Sequence, residues 1–85
     1  MLNTKPVKVL KLTTGDRVVV GKASNASLNL YMKAKQKGYT FVKCPCNAKT
    51  GQLFEVINNF YGGYLLRDPK SDVMIVAHNN DLRRV

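Results

Sequence analysis

The sequence predicts a mainly β domain of the α+β class, with five to seven short strands and one helix around residues 26–37. Three observations lead to this prediction. β-prone runs of four to six residues recur along the chain, turn-forming residues separate them, and one helix-favouring segment interrupts them. Because the connections are short, we expect an antiparallel meander or a small barrel of the SH3-like or OB-like kind. The chain has 85 residues, which indicates a single domain, residues 1–85.

The first predicted element is a β-hairpin. Residues 7–12 and 17–22 are β-prone, and residues 13–16 between them are turn formers. Gly15 in this turn can adopt a positive φ without steric cost. The pattern therefore predicts two paired strands at the start of the chain.

The next β-prone runs are residues 39–44 and 53–57. The eight residues between them, 45–52, include Pro and Gly, which keep this connection out of regular structure. Residues 64–67 and 73–77 follow as two further strands. We expect each pair to form a local hairpin.

The C-terminal part of the chain contains two more turn signals. Residues 68–71 fit a type I turn with Pro69 at its second position. The last seven residues are predicted to form a short turn and a final strand, which Leu82 and Val85 would anchor.

Residues 24–38 fit both a helix and a strand. Four apolar residues alternate as they would in a strand, namely Leu28, Leu30, Met32 and Ala34. The ends favour a helix, because Asn25 or Ser27 can cap its start and Gly38 can follow its end. Three lysines in the last turns also suit the negative end of the helix dipole.

The net charge of +9 is distributed unevenly along the chain. Residues 1–53 hold ten basic residues against Asp16 alone, whereas residues 54–85 hold four basic and four acidic residues. Lysines that contact phosphates release condensed counterions, and a positive face therefore attracts polyanions. The charge pattern predicts a small basic protein that binds nucleic acid, either RNA or DNA.

The candidate binding residues are the lysines of the basic half and two nearby tyrosines. Lysine makes point-charge contacts with phosphate and does not read guanine edges as arginine does, so we expect weakly sequence-specific binding. A tyrosine ring beside these lysines can stack on a base, although a chain without Trp also needs its aromatic residues for the core. The residues are Lys22, Lys33, Lys35, Lys37, Lys43, Lys49, Tyr39 and Tyr31.

A second hypothesis belongs to a different functional class. A compact basic chain of this kind can act as a phage-like or regulatory protein that binds an acidic surface of a host protein and inhibits or modulates it. Lysines would steer the encounter and apolar or tyrosine side chains would anchor it. Self-association into a homo-oligomer is also open, because a chain this short has a small core.

The sequence gives no pattern typical of an enzyme, a metal site or a membrane protein. Cys44-Pro45-Cys46 lacks the spacing of a zinc site, and a disulfide across one residue is unexpected in a cytosolic protein. We expect two small, partly buried thiols there, and redox sensing or a site shared across an oligomer are the alternatives. His78 and Asp81 have no evident nucleophile beside them, so we expect no enzyme and no cofactor. We find no secretory signal and no long apolar segment, and so expect a cytoplasmic protein that does not interact with a membrane.

Residues 12–23, followed by Leu28-Asn29-Leu30, resemble the first motif of Sm-like RNA-binding proteins. In that motif a strand, a turn with glycine, a second strand ending in glycine and an Asn-containing strand form half of a small barrel. The resemblance covers about a quarter of the chain. It implies that Asn29 corresponds to the RNA-contacting asparagine and that residues 24–38 contain a strand.

Overall fold

The structure is a computed structural model and describes residues 11–85. One α-helix and six strands form this part of the chain, so the prediction of a small α+β protein with one helix is confirmed. The elements are β1 (Arg17–Val20), α1 (Asn25–Gln36), β2 (Val42–Lys43), β3 (Gln52–Phe60), β4 (Gly63–Arg67), β5 (Met74–His78) and β6 (Leu82–Arg84), with 3₁₀ turns at Pro45–Asn47 and Asn79–Asp81.

The six strands form one open sheet in the order β2-β5-β4-β3-β1-β6. Its neighbouring strands are antiparallel except for β2 and β5, which run parallel. No pairing between the edge strands β2 and β6 closes the sheet within residues 11–85, so the finer prediction of an SH3-like or OB-like barrel is not established.

The C-terminal end of α1 follows the Schellman pattern. Gly38 has a φ of +91°, and its N–H donates to the Lys35 carbonyl at 3.1 Å. The Tyr39 N–H then donates to the Ala34 carbonyl at 2.9 Å. The glycine signal in the sequence was therefore correct, and this geometry places Tyr39 directly beyond the helix.

The start of α1 differs from the prediction, because neither Asn25 nor Ser27 is its N-cap. Ser24 occupies that position, and its own side chain makes no capping bond to the helix. The Asp81 carboxylate accepts hydrogen bonds from the Ser24 N–H at 2.9 Å, from the Ser24 hydroxyl at 2.8 Å and from the Ser27 hydroxyl. A carboxylate distant in sequence thus provides the negative charge that a helix N-terminus favours.

The sheet has a buried cluster on each face. Helix α1 covers one of them, where Leu30 and Ala34 pack with Phe60, Leu65 and Val76. The cluster on the other face contains ten buried residues, namely Leu12, Val18, Val20, Phe54, Val56, Tyr64, Leu66, Ile75, Ala77 and Leu82. Strand β4 is buried on both faces, which explains its continuous apolar run.

The first predicted hairpin is only partly within the described residues. Residues 7–10 of its first strand lie outside them, and residues 11–12 are not in a strand. The turn at residues 13–16 is confirmed, because the Asp16 N–H donates to the Thr13 carbonyl at 3.0 Å. Strand β1 pairs with β3 and β6.

The predicted hairpin between residues 39–44 and 53–57 is wrong. Within residues 39–44 only Val42–Lys43 is a strand, and it pairs in parallel with the neighbouring strand β5. Tyr39 is part of the hydrogen-bonded end of α1, and Pro45 begins a 3₁₀ turn. Only the few residues between them can therefore form a strand. Strand β3 instead extends over Gln52–Phe60 and forms its hairpin with β4.

The C-terminal predictions hold in most respects. Strands β4 and β5 agree with the predicted ranges to within one residue at each end. The turn between them closes one residue later than predicted, because the Asp72 N–H donates a hydrogen bond to the Asp68 carbonyl at 2.8 Å. Leu82 is a buried anchor as expected, whereas Val85 is exposed. Asn29 lies in α1, so the strand that the Sm-like resemblance implies is absent.

Candidate nucleic-acid interface

Three predicted binding lysines lie at the C-terminal end of α1, on two flanks of the helix. Residues two positions apart on a helix differ by about 200° in direction. Lys33 and Lys37 therefore share one flank, where their ammonium groups lie 4.5 Å and 5.1 Å from the centre of the Tyr61 ring. Lys35 lies on the other flank, 5.5 Å from the ring centre of Tyr31.

Tyr61 lies in the two-residue turn between β3 and β4. Phe60 pairs with Gly63, so Tyr61 and Gly62 alone make the turn, with φ values of +44° and +87°. These positive values identify a type I′ turn, for which Asn-Gly and Gly-Gly are the favoured sequences. A tyrosine is therefore held in a left-handed conformation that non-glycine residues rarely adopt.

Four aromatic rings form a continuous row under the end of α1. Tyr61 meets Phe60 edge to face at 4.9 Å between ring centres, and Phe60 lies 5.5 Å from Tyr39. Tyr39 in turn stacks on Phe41 at 5.6 Å with an angle of 28° between the rings. Phe60 is buried, whereas Tyr61 and Phe41 at the two ends are 56% and 52% exposed.

We call this region the lysine–aromatic surface and define it as Lys33, Lys37, Tyr39, Phe41 and Tyr61. The closeness of the Lys37 ammonium to the Tyr61 phenol group raises the pKa of Lys37 and lowers the pKa of Tyr61. Lys37 thus keeps its charge over the whole physiological pH range. The surface offers fixed positive charges beside exposed aromatic rings.

In the described part of the chain, residues 11–85, no carboxylate forms an ion pair with Lys33 or Lys37. Within residues 11–85 the ion pairs are those of Arg67 with Glu55 at 2.8 Å and with Asp72 at 2.7 Å. Arg67 lies at the far end of β4 from the Tyr61 turn. Lys33 and Lys37 therefore remain available to an anionic partner, whereas the Lys35 ammonium donates a hydrogen bond to the Thr40 carbonyl at 3.1 Å.

The other predicted lysines belong to other segments of the fold. Lys22 precedes the N-terminal end of α1, whereas Lys37 follows its C-terminal end, about 18 Å further along the helix axis. Lys43 belongs to β2, two residues after Phe41, and Lys49 lies in the connection to β3. The structure thus brings Lys33, Lys37 and Tyr39 together and pairs Lys35 with Tyr31.

Tyr61 was not predicted as a binding residue. Phe41 belongs to the segment 39–43, whose rings the sequence offers as a possible stacking face, whereas Tyr61 belongs to a second aromatic group, residues 54–64, outside the basic half of the chain. The available signal was Tyr61-Gly62-Gly63 between two β-prone runs, which marks a tight hairpin turn. A residue at the tip of such a turn is exposed, even when it is aromatic.

The two cysteines differ from the prediction of free thiols, because Cys44 and Cys46 form a disulfide. The 3₁₀ turn brings their Cα atoms to 5.3 Å, which lies within the usual range for disulfides. His78 ends β5, and its Nδ1 accepts a hydrogen bond from the Asn80 N–H at 3.2 Å. Within residues 11–85 no group of three or more metal-binding side chains is present, and no helix is long and apolar enough to span a bilayer.

No family model, no curated protein and no solved structure matches the chain. Its function must therefore be inferred from the charge, exposure and geometry of its own residues. Within residues 11–85 the lysine–aromatic surface combines two lysine–ring contacts with a row of neighbouring aromatic rings.

Proposed function

We propose that the protein binds single-stranded nucleic acid, RNA or DNA, through the lysine–aromatic surface. A base stacks on the exposed ring of Tyr61, and the flanking phosphates contact Lys33 and Lys37. Phe41 offers a second exposed ring at the other end of the aromatic row. Binding is weakly sequence-specific, because stacking and phosphate contacts accept every base.

The conformation of Tyr61 carries this proposal. A non-glycine residue in the left-handed region costs about 1–2 kcal/mol, and Asn or Gly would relieve this cost. The ring is more than half exposed, so core packing does not explain its presence. Strain that persists in a local structure is a reason to look for a function at that residue.

The chemistry of the surface favours a single strand over a duplex. Stacking on a side chain requires unpaired bases whose faces are free. The lysines supply the sequence-independent part of the affinity by contacting phosphates. Arginine, which reads guanine in the major groove, is absent from the surface.

The test is fluorescence anisotropy with a labelled single-stranded oligonucleotide, as RNA and as DNA, and with the matching duplex. Tyr61→Asn should weaken single-strand binding by roughly 5- to 150-fold, which corresponds to the loss of one stacked base. Tyr61→Phe keeps the ring and should bind almost as well as the wild type. The fold should tolerate Tyr61→Asn, because relief of the backbone strain offsets the lost contact with Phe60 to within about 1 kcal/mol.

The lysines are tested by their effect on salt dependence. The double variant Lys33→Gln/Lys37→Gln should lower the slope of log K against log salt by about 1.4, which is about 0.7 for each lost phosphate contact. Lys70→Gln is the control, since Lys70 lies in the turn at the opposite end of β4. It should leave the slope almost unchanged.

Two outcomes would contradict the proposal. One is the absence of oligonucleotide binding at low salt, and the other is binding that Tyr61→Asn and Lys70→Gln weaken equally. A protein partner that stays bound after nuclease treatment, and that requires the same lysines, would support the regulator hypothesis instead.

A further inference from the structure

The Cys44–Cys46 disulfide lies in the connection between β2 and β3, outside the lysine–aromatic surface. Cys46 is exposed, whereas Cys44 is half-buried. Pro45 between them is fully buried and begins the 3₁₀ turn. The two sulfur atoms therefore differ in their access to a partner from solution.

Backbone hydrogen bonds also hold this segment, in addition to the bond between the sulfurs. The Asn47 N–H donates to the Cys44 carbonyl at 3.0 Å, and the Ala48 N–H donates to the Pro45 carbonyl at 3.1 Å. These bonds and the buried proline hold the backbone turn in place. The oxidised and reduced forms can thus share one backbone conformation.

The disulfide also adds little as a structural cross-link. Cross-links stabilise a protein mainly by restricting the unfolded chain, and the effect grows with the length of the closed loop. Here the bridged cysteines are only two positions apart. Exposed disulfides of this kind are the ones that exchange readily with thiols.

The surroundings favour thiolate chemistry. Lys43 and Lys49 flank the segment, and residues 43–49 contain no acidic side chain. Nearby positive charge stabilises a cysteine thiolate as a leaving group. A groove of about 320 Å³ lies beside the turn, and Lys43, Asn47, Phe54 and Ile75 are among its lining residues. It can hold the chain that carries an attacking thiol.

We propose that Cys44 and Cys46 form a thiol–disulfide exchange site that oxidises a peptide dithiol. A thiolate of the substrate attacks Cys46 Sγ and forms a mixed disulfide, while the Cys44–Cys46 bond breaks and its electron pair leaves with Cys44 Sγ. The second substrate thiolate then attacks the substrate sulfur and releases Cys46. The substrate gains a disulfide and loses two electrons and two protons, which the cysteine pair takes up as two thiols.

The experiment incubates the oxidised protein with a synthetic peptide that carries two cysteines. Alkylation and mass spectrometry then count the thiols of both molecules. One equivalent of peptide should be oxidised for each chain reduced. Thermal unfolding of the reduced protein should remain cooperative, with a midpoint close to that of the oxidised protein, because the turn and its hydrogen bonds persist.

Single-cysteine variants test which sulfur is attacked. Cys44→Ser retains the exposed Cys46 and should form a mixed disulfide with oxidised glutathione. Cys46→Ser retains the half-buried Cys44 and should react roughly tenfold more slowly, since access limits thiol reactivity. Equal rates in the two variants, a disulfide that the peptide dithiol does not reduce, or unfolding on reduction would each overturn the proposal. None of these results depends on nucleic-acid binding.

Discussion

At the scale of single residues, the Asp81 carboxylate accepts three hydrogen bonds from the start of α1. Burial raises the pKa of the Asp81 carboxyl, but hydrogen bonds from Ser27 and Ser24 lower it by more, so its pKa lies below the ordinary value. The Ser27 hydroxyl also accepts a hydrogen bond from the His78 N–H at 2.8 Å. Asp81 thereby connects the start of α1 to the end of β5.

We predict that Asp81→Asn lowers the free energy of unfolding at neutral pH by about 1–3 kcal/mol, because hydrogen bonds to a charged acceptor are lost. Because the folded-state pKa is depressed, the wild-type contribution is complete above the ordinary carboxyl pKa of about 4 and is lost as the pH falls through the folded-state value. Urea unfolding between pH 7 and pH 2 measures this.

The control for this prediction is Asp72→Asn, since the Asp72 side chain is 78% exposed and pairs with Arg67 at the surface. It should change stability by less than about 1 kcal/mol. An Asp81→Asn variant that keeps the full acid sensitivity of the wild type would contradict the role assigned to Asp81.

At the scale of elements, α1 depends on its packing against the sheet. Leu30 is 5% exposed and belongs to the buried cluster with Phe60 and Val76, whereas Met32 on the same helix is 59% exposed. A helix of 12 residues is marginal alone in water, so this contact decides whether it forms. The helix in turn positions Lys33 and Lys37 against Tyr61.

We therefore predict that Leu30→Ala destabilises the protein by about 2–5 kcal/mol through loss of buried apolar contact and the resulting cavity. Met32→Ala is the matched control and should change stability by less than about 0.5 kcal/mol. Thermal or urea unfolding followed by far-ultraviolet circular dichroism measures both. Similar losses for the two variants would mean that α1 is not docked through Leu30.

The elements that were predicted correctly are those whose signals are local. Gly38 marked the end of α1, and the turn at residues 68–71 separated β4 from β5. The parallel pairing of β2 with β5 depends on contacts distant in sequence, and a strand of two residues carries no periodicity. The hydrogen bonds of the Asp81 carboxylate to the start of α1 were not predicted for the same reason. Asp81 lies 57 positions after Ser24 in the sequence.

The candidate site was predicted only in part, for a related physical reason. The spacing of Lys33, Lys35 and Lys37 predicts only that they spread over more than one face of α1 if the helix forms. Which ring lies beside them depends on how the β3–β4 hairpin packs against α1, and no local pattern contains that information. The sequence thus predicted the charges of the surface and missed the aromatic residue that they surround.

At the scale of the whole molecule, the net charge of +9 means that salt should have opposite effects on the stability of the fold and on the affinity for nucleic acid. Excess like charge destabilises the compact state through self-repulsion, and ions screen this repulsion over about 8–10 Å at physiological strength. Salt also removes the counterion-release contribution to nucleic-acid binding. Stability and affinity should therefore change in opposite directions.

We predict that raising NaCl from about 20 mM to about 200 mM increases the midpoint of thermal unfolding by a few degrees and weakens oligonucleotide binding at least tenfold. Differential scanning calorimetry and anisotropy on the same samples measure the two effects. A fall in both quantities would show that salt destabilises the fold itself.

The turn at Tyr61 has a consequence for engineering this chain. A design procedure that selects residues for stability or backbone compatibility would replace Tyr61 with asparagine or glycine, since those residues suit a type I′ turn. The resulting protein would fold well and lose the ring between the two lysines. At Tyr61 the natural residue differs from the one that a stability criterion would choose. Redesign should leave such a position unchanged.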